Sequence, residues 1–295
     1  RDFTINAMAL ALGRRERGEL LDPCGGQADL QAGLVRTLHE ASFVDDATRI
    51  LRAARYETRF GFRLEESTLI LLRRDIGYLD SIGGARLRQE IGRILQEAEP
   101  ERALLRLQEL GALAQIQPSL AFELSQARAF RRLRELIPEA VPGACWPLLC
   151  WGLDEKAAAD LVTRLQLSRT QGRAVAAISE LQAMQATLAR PGLRPSAVFE
   201  QLSPQPPTAV QALAAATESG DVRERSLEYL SRGRYVKPIL SGAALLEMGV
   251  PRGPAVREIL QRLKVAKLDG NVRSGKEEEQ LVRSLLASGT GRRSR

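Results

Sequence analysis

Asp45-Asp46-Ala47-Thr48-Arg49-Ile50-Leu51-Arg52-Ala53-Ala54-Arg55 is the stretch on which the fold turns. Ile50, Leu51 and Ala54 fall at helical spacing, the pattern resumes with Leu69 and Leu72, and it persists to the end of the chain. Everything from about Asp45 onward is therefore predicted to be almost entirely helical. Upstream the pattern differs. Residues 3–12 and 18–22 are apolar with partial alternation, and Leu34-Val35-Arg36-Thr37-Leu38 repeats that character. Asp22-Pro23-Cys24-Gly25-Gly26 reads as a turn between them; it lacks the lysine and following hydroxyl of a phosphate loop. These segments are expected to be the last strands of a sheet, with a short helical turn over residues 29–33. The fold class is mainly α, with a small β-sheet portion at the N-terminus.

Punctuation divides the helical part. Ser81-Ile82-Gly83-Gly84 separates two helices, Glu99-Pro100 opens another with proline in the first turn, and a further break is expected between Pro138 and Pro147. The strongest linker candidates are Arg190-Pro191-Gly192-Leu193-Arg194-Pro195 and Ser203-Pro204-Gln205-Pro206-Pro207. No fixed repeat period emerges. Residues 288–295 read as a disordered basic end.

At 295 residues the chain can bury two or more cores. It has no apolar run of about 18 residues and no basic-then-apolar leader, so a soluble, cytoplasmic protein without a membrane partner is expected. Cys24, Cys145 and Cys150 form neither a disulfide framework nor a metal quartet. His39 is the sole histidine, which excludes self-contained His-Asp phosphohydrolase, His-based triad and multi-His zinc designs. It reads as a strand-end residue before Ser42-Phe43. The net charge of +7 is unevenly placed: residues 1–220 hold 27 Lys/Arg and 27 Asp/Glu, whereas residues 221–295 hold 16 and 9. A basic C-terminal quarter fits a polyanionic partner bound with counterion release, hence salt-sensitively.

Asp46 and Arg49 lie three apart near a predicted helix start, so both can project from one face. A carboxylate only accepts hydrogen bonds and a guanidinium only donates them. Together they complement the amino donor and ring-nitrogen acceptor of cytosine or adenine. Uracil and guanine present a carbonyl where the amino group would be, a mismatch of about 1–3 kcal/mol. Arg49, Arg52 and Arg55 continue at spacing three, a drifting line of forked donors suited to phosphates.

The ordered run Arg1-Asp2-Phe3-Thr4-Ile5-Asn6-Ala7-Met8-Ala9, Leu21-Asp22-Pro23 with Gly26 and Asp29-Leu30, Val35-Arg36, Ser42-Phe43, Asp45-Asp46-x-x-Arg49, and Arg52-Ala53-x-Arg55 before Gly61-Phe62 resembles the class II tRNA nucleotidyltransferases. These include CCA-adding, CC-adding and A-adding enzymes and are close to bacterial poly(A) polymerases. Weaker likeness continues through Ala85-Arg86-Leu87-Arg88-Gln89-Glu90, Glu99-Pro100-Glu101-Arg102-Ala103-Leu104 and Leu240-Ser241-Gly242 to Leu268-Asp269-Gly270. Residues 112–235 are poorly informative.

The resemblance implies the C-terminal remnant of a catalytic head over 1–42, a nucleotide-recognising neck over 43–110, a helical body over 111–220 and a basic, tRNA-binding tail over 221–295. It implies that Arg1 contacts the nucleotide, that Asp2 lies near the ribose, and that Asp46 and Arg49 read the base with Asp45 in support. Arg52 and Arg55 match nucleotide-binding arginines. Asp45 stands where glutamate is more usual. The implied activity is addition of C and A, or A alone, to the tRNA 3′ end by attack of the 3′-hydroxyl on the α-phosphate of CTP or ATP. Its Mg2+ ions are expected on an Asp-x-Asp pair upstream of Arg1, so the chain by itself is expected to be inactive. A poly(A) polymerase and, for the isolated chain, a noncatalytic RNA-binding module are the alternatives. Oligomeric state and the choice among CCA, CC and A addition stay open.

Overall fold

In the computed structural model, which describes residues 1–13, 18–138 and 143–289, strand pairing is sparse and helices do nearly all the packing. β1 (Ala9–Leu10) and β2 (Leu20–Leu21) form an antiparallel ribbon with Ala9 opposite Leu21. After α1 (Gly26–Ala32), β3 (Leu34–Val35) pairs in parallel with β4 (Arg63–Leu64), Val35 opposite Leu64.

This corrects the expected strands in three ways. Thr4–Asn6 is a 3-10 turn, because Thr4 N donates to Arg36 O at 3.0 Å and Thr4 Oγ1 to the buried Asp29 Oδ2 at 2.7 Å. That docking buries Phe3 completely and leaves it only an isolated bridge to Thr37. β3 joins a partner from beyond the neighbouring helix instead of extending the first ribbon. The helical turn expected at 29–33 is a seven-residue helix opened by Asp22, whose carboxylate accepts from Gly26 N at 2.7 Å and Gln27 N at 2.9 Å. Gly26 has no alternative: a Cβ there would lie 2.3 Å from Thr4 O.

The helical run proceeds through α2 (Ser42–Asp45), α3 (Thr48–Phe60), α4 (Glu66–Asp75), a 3-10 segment (Ile76–Ser81), α5 (Gly84–Leu95), α6 (Pro100–Glu109) and α7 (Ala112–Ile116). It continues with α8 (Leu124–Leu136), α9 (Cys145–Leu149), α10 (Glu155–Arg164), α11 (Arg169–Ala176), α12 (Ile178–Leu188), α13 (Pro195–Leu202), α14 (Pro207–Ala216) and α15 (Gly220–Ser231). α16 (Gly242–Glu247), α17 (Pro254–Leu268) and α18 (Gly275–Gly289) close it. α3 turns Ile50, Leu51, Ala53 and Ala54 inward against α5 and α6, and stops where Gly61 takes φ +67°. Pro100 occupies the first turn of α6 as expected.

One core runs from Phe3 and Phe43 through Leu51, Ile91, Leu104 and Phe130 to Ala215. A second joins Leu181, Leu202, Val210, Leu213 and Val222, and a third, smaller one gathers Leu245, Val250, Ile259, Leu263 and Val282. The two proline-rich stretches therefore do not separate units. Pro195 and Pro207 begin helices, and the second core draws from α12, α13 and α14 alike. Pro147 likewise lies inside α9, and residues 139–142 of the expected break fall outside the described set. Of the basic end, Ser288 belongs to α18, its Oγ donating to Ser284 O at 2.8 Å; residues 290–295 are outside the described set.

The start of α5 and the end of α10 meet at a close backbone approach. A Cβ on Gly84 would fall 2.0 Å from Arg164 O, while Arg164 donates to the carbonyls of Leu79, Asp80 and Ile82. Those bonds satisfy carbonyls of the 3-10 segment and its exit. This fixes where α5 starts, and hence where its polar face lies.

Candidate functional site

α2 ends because Asp46 turns extended, with φ −153° and ψ 96°. Its Oδ1 accepts from Thr48 N at 3.0 Å and Thr48 Oγ1 at 2.6 Å, an Asx turn that closes one helix and opens the next. The helix expected from about Asp45 thus begins at Thr48, preceded by a short helix, α2, that was not expected. Asp46 and Arg49 do not share a helix face: Asp46 precedes α3 and Arg49 sits in its first turn. They are not paired with each other. Asp46 Oδ2 accepts from Arg86 Nη2 at 2.8 Å, and Arg49 Nη1 donates to Ser42 O at 2.8 Å.

Asp2 sits against the arginine line. Its Oδ1 is 3.7 Å from Arg49 Nε, and its Oδ2 accepts from Arg52 Nη2. Arg52 also lies 3.3 Å from Tyr56 Oη and 3.6 Å from Glu90 Oε1. One turn on, Arg55 Nη1 is 3.4 Å from Glu97 Oε1, which Arg59 shares at 3.5 Å. Glu90 in turn accepts from Arg93 Nη1 at 2.5 Å. The cluster is a seam beside α3 and α5 in which Asp2, Glu90 and Glu97 face Arg49, Arg52, Arg55 and Arg59 of α3, Asp46 faces Arg86 of α5, and Arg93 pairs with Glu90 within α5.

The seam is mostly desolvated. The side chains of Arg49, Arg52 and Arg55 are 15%, 22% and 11% exposed, and the Nε of all three is buried without a hydrogen-bond partner, as is Glu90 Oε2. Unsatisfied buried donors are costly in a native structure, about 1–3 kcal/mol each, so this seam is held by charge pairs and not by a full set of hydrogen bonds. Burial works against the Arg52 charge, but Asp2, Tyr56 and Glu90 outweigh it and raise its pKa. Burial also works to protonate Asp46, yet the bonds from Thr48 and Arg86 hold its pKa below the ordinary aspartate value. Asp46 is therefore an ionised acceptor at neutral pH.

The remaining expected residues fall outside this seam. Asp45 pairs with His39, Oδ2 to Nε2 at 3.5 Å, with both side chains about half exposed. Arg1 is exposed and has no ion-pair partner among the described residues. The sequence reading missed Tyr56, Arg86, Glu90, Arg93 and Glu97 as site residues. A signal existed: Arg86, Glu90, Arg93 and Glu97 repeat at intervals of four, three and four, one face of a helix. Which partner that face meets depends on α5 docking on α3. Among the described residues no group of three or more His, Cys, Asp or Glu could hold a metal ion, and no helix is long and apolar enough to cross a membrane.

Residues 1–36 match the family model of the poly A polymerase head domain, and residues 61–124 match that of the probable RNA and SrmB-binding site of polymerase A. The A-adding tRNA nucleotidyltransferase of Geobacter sulfurreducens is 31% identical over 98% of this chain, which spans 35% of that relative's length. Among solved structures, the Thermotoga maritima CCA-adding enzyme complexed with tRNA superposes with a TM-score of 0.82 at 29% identity, over 97% of this chain and 72% of that one. A CCA-adding enzyme with CTP gives a TM-score of 0.82 at 30% identity, over 97% and 71%.

Proposed function

The chain belongs to the class II poly(A) polymerase family, and on that premise we propose that it serves a tRNA nucleotidyltransferase adding C and A, or A alone, to the tRNA 3′ end without a nucleic-acid template. In this reading it supplies nucleotide recognition and the grip on tRNA, with CTP and ATP as substrates, in the cytoplasm. Residues 1–42 belong to the head, 43–110 form the neck, 111–220 the body and 221–295 the tail.

The observation that carries the reading is the seam of Asp2, Asp46, Arg49, Arg52 and Arg55, in which three arginines at spacing three along one helix are held by carboxylates of Asp2, Glu90 and Glu97. Arg49 to Arg55 spans about 9 Å at 1.5 Å per residue, a length that suits a base edge followed by phosphates. Asp46 accepts from the exocyclic amino group of C or A, and Arg49 donates to the neighbouring ring nitrogen. Arg52 and Arg55 engage the phosphates. Asp2 holds Arg52 in place and offers an acceptor to the ribose, with Arg1 beside it. Glu90 and Glu97 fix the guanidinium groups before the nucleotide arrives, so little reorganisation accompanies binding.

Incorporation is attack of the tRNA 3′-hydroxyl on the α-phosphate. In this family reading Mg2+ assists that step, but the described residues offer no donor set for it, so these residues are given only recognition. The test is Arg49→Ala in the full-length protein. It is expected to damage nucleotide choice more than tRNA affinity; a variant with normal CTP and ATP selectivity would refute the assignment. Product length on tRNA lacking its terminal residues separates the two polymerising activities. One to three added residues support the present reading, and a long adenosine tract makes the protein a poly(A) polymerase.

A further inference from the structure

Between α15 and α16 the chain runs Arg232-Gly233-Arg234-Tyr235-Val236-Lys237, three cations and an aromatic ring in six residues. Tyr235 is 64% exposed, far more than a tyrosine held for packing, and Arg234 lies over its ring with 5.0 Å from guanidinium carbon to centroid. The strap that carries it is not loose. A 3-10 turn (Gly233–Tyr235) begins it, and the fully buried Glu278 of α18 accepts from Ile239 N at 2.9 Å and Leu240 N at 2.8 Å at its far end.

The charges around the strap are uncompensated. Arg232, Arg234, Lys237 and Lys264 have no carboxylate within ion-pair distance among the described residues. Elsewhere in residues 251–289, Arg262, Lys267 and Arg283 do, on Glu258, Glu278 and Glu279, whereas Arg252, Arg257, Arg273 and Lys276 do not. Lys264 stands 3.7 Å over the Phe199 ring and feels Lys237; burial and that like charge both lower its pKa. Two cations brought together without an acid between them are stabilised when an anion arrives.

We infer that this strap is a base-stacking RNA contact: an unpaired nucleobase of an RNA loop stacks on Tyr235, and the flanking phosphates are held by the cations of the strap and Lys264. The inference rests on the tRNA reading above but adds to it, since a tail that only grips backbone phosphates needs no exposed aromatic ring. Every base has a π face, so the contact detects an unstacked base without reading its identity. Duplex RNA, whose bases are stacked internally, meets only the cations.

The test compares the full-length protein with its Tyr235→Ala, Tyr235→Phe and Lys237→Ala variants in binding tRNA and a blunt RNA duplex of equal charge. Tyr235→Ala is expected to weaken tRNA binding by about fivefold to about a hundredfold while leaving duplex binding unchanged, and Tyr235→Phe to restore it. Lys237→Ala is expected to weaken both RNAs and to reduce the slope of log affinity against log salt by about 0.7–0.9. If the protein binds tRNA with nanomolar-to-micromolar strength and Tyr235→Ala binds it equally well, the stacking contact is wrong and the tRNA reading stands. If the unaltered protein binds tRNA no better than it binds the duplex, both are wrong. Melting temperatures of the variants, expected to be unchanged for an exposed side chain, exclude misfolding as the cause.

Discussion

Replacing Asp46 by asparagine changes one atom and asks it a direct question. The Oδ1 that accepts from Thr48 N and Thr48 Oγ1 can be kept by the amide oxygen, so the Asx turn between α2 and α3 survives. The second oxygen becomes an NH2 group facing Arg86 and, in the proposed complex, the exocyclic amino group of C or A. Lost there is a hydrogen bond to a charged acceptor, about 1.5–3 kcal/mol, which converts to a fall in kcat/KM of about tenfold to about 150-fold for CTP and ATP. UTP gains little in return, because its ring N–H meets the donor Arg49. The folded state loses only the Asp46–Arg86 pair, whose arginine is 57% exposed, so stability is expected to change by no more than about 1 kcal/mol. Steady-state incorporation with each of the four nucleotides, beside a thermal melt, reads both quantities. Unchanged CTP and ATP efficiency, or a loss that follows the melting temperature, would show that Asp46 does not touch the base.

Two further outcomes follow from titrating groups away from the seam. Partial burial works to raise the Glu65 pKa, but hydrogen bonds from Ser67 and Thr68, with Arg36 nearby, bring it down from 4.5 to about 2. Because the folded pKa is depressed, its stabilisation is present above pH about 4.5 and is lost as pH falls through about 2, amounting to about 3 kcal/mol. Denaturant titrations across that window are expected to show this loss in the unaltered protein and a shallower one in Glu65→Gln; parallel curves would contradict it. Burial pushes the thiols of Cys145 and Cys150 up to about 12, whereas Cys24 is exposed. Maleimide at pH 8 is therefore expected to add a single label by intact mass under native conditions and three after denaturation. Fast native labelling of a second cysteine would mean that the first core opens.

What the sequence disclosed was governed by range. α3 was legible because Ile50, Leu51 and Ala54 declare one apolar face, and α6 because Pro100 can stand only in a first turn. The break at Asp46 was hidden: helical periodicity runs through it, and only the side chain's bond to Thr48 N ends α2 there. β4 was invisible because a two-residue strand has no periodicity and exists through its pairing with Leu34 and Val35. In the site, Asp2, Arg49 and Arg52 were named from motif and spacing and do meet. Arg86 and Glu90 were not singled out as site residues, since their partners are far off in sequence, Asp46 in the turn before α3 and Arg52 on α3. Pairing of that kind is decided by how α5 docks on α3, and no local pattern carries it.

The join between the second and third cores has a consequence for engineering. Part of the attachment is polar and localised: Asp269, just past α17, takes Ser196 N and Ser196 Oγ of α13 at 2.9 Å each. A seam of directional bonds specifies orientation through a few atoms, whereas a shared apolar core specifies it through dozens. The segment from α16 to α18 could therefore be exchanged as a unit, provided that an acid is kept at Asp269 to face Ser196.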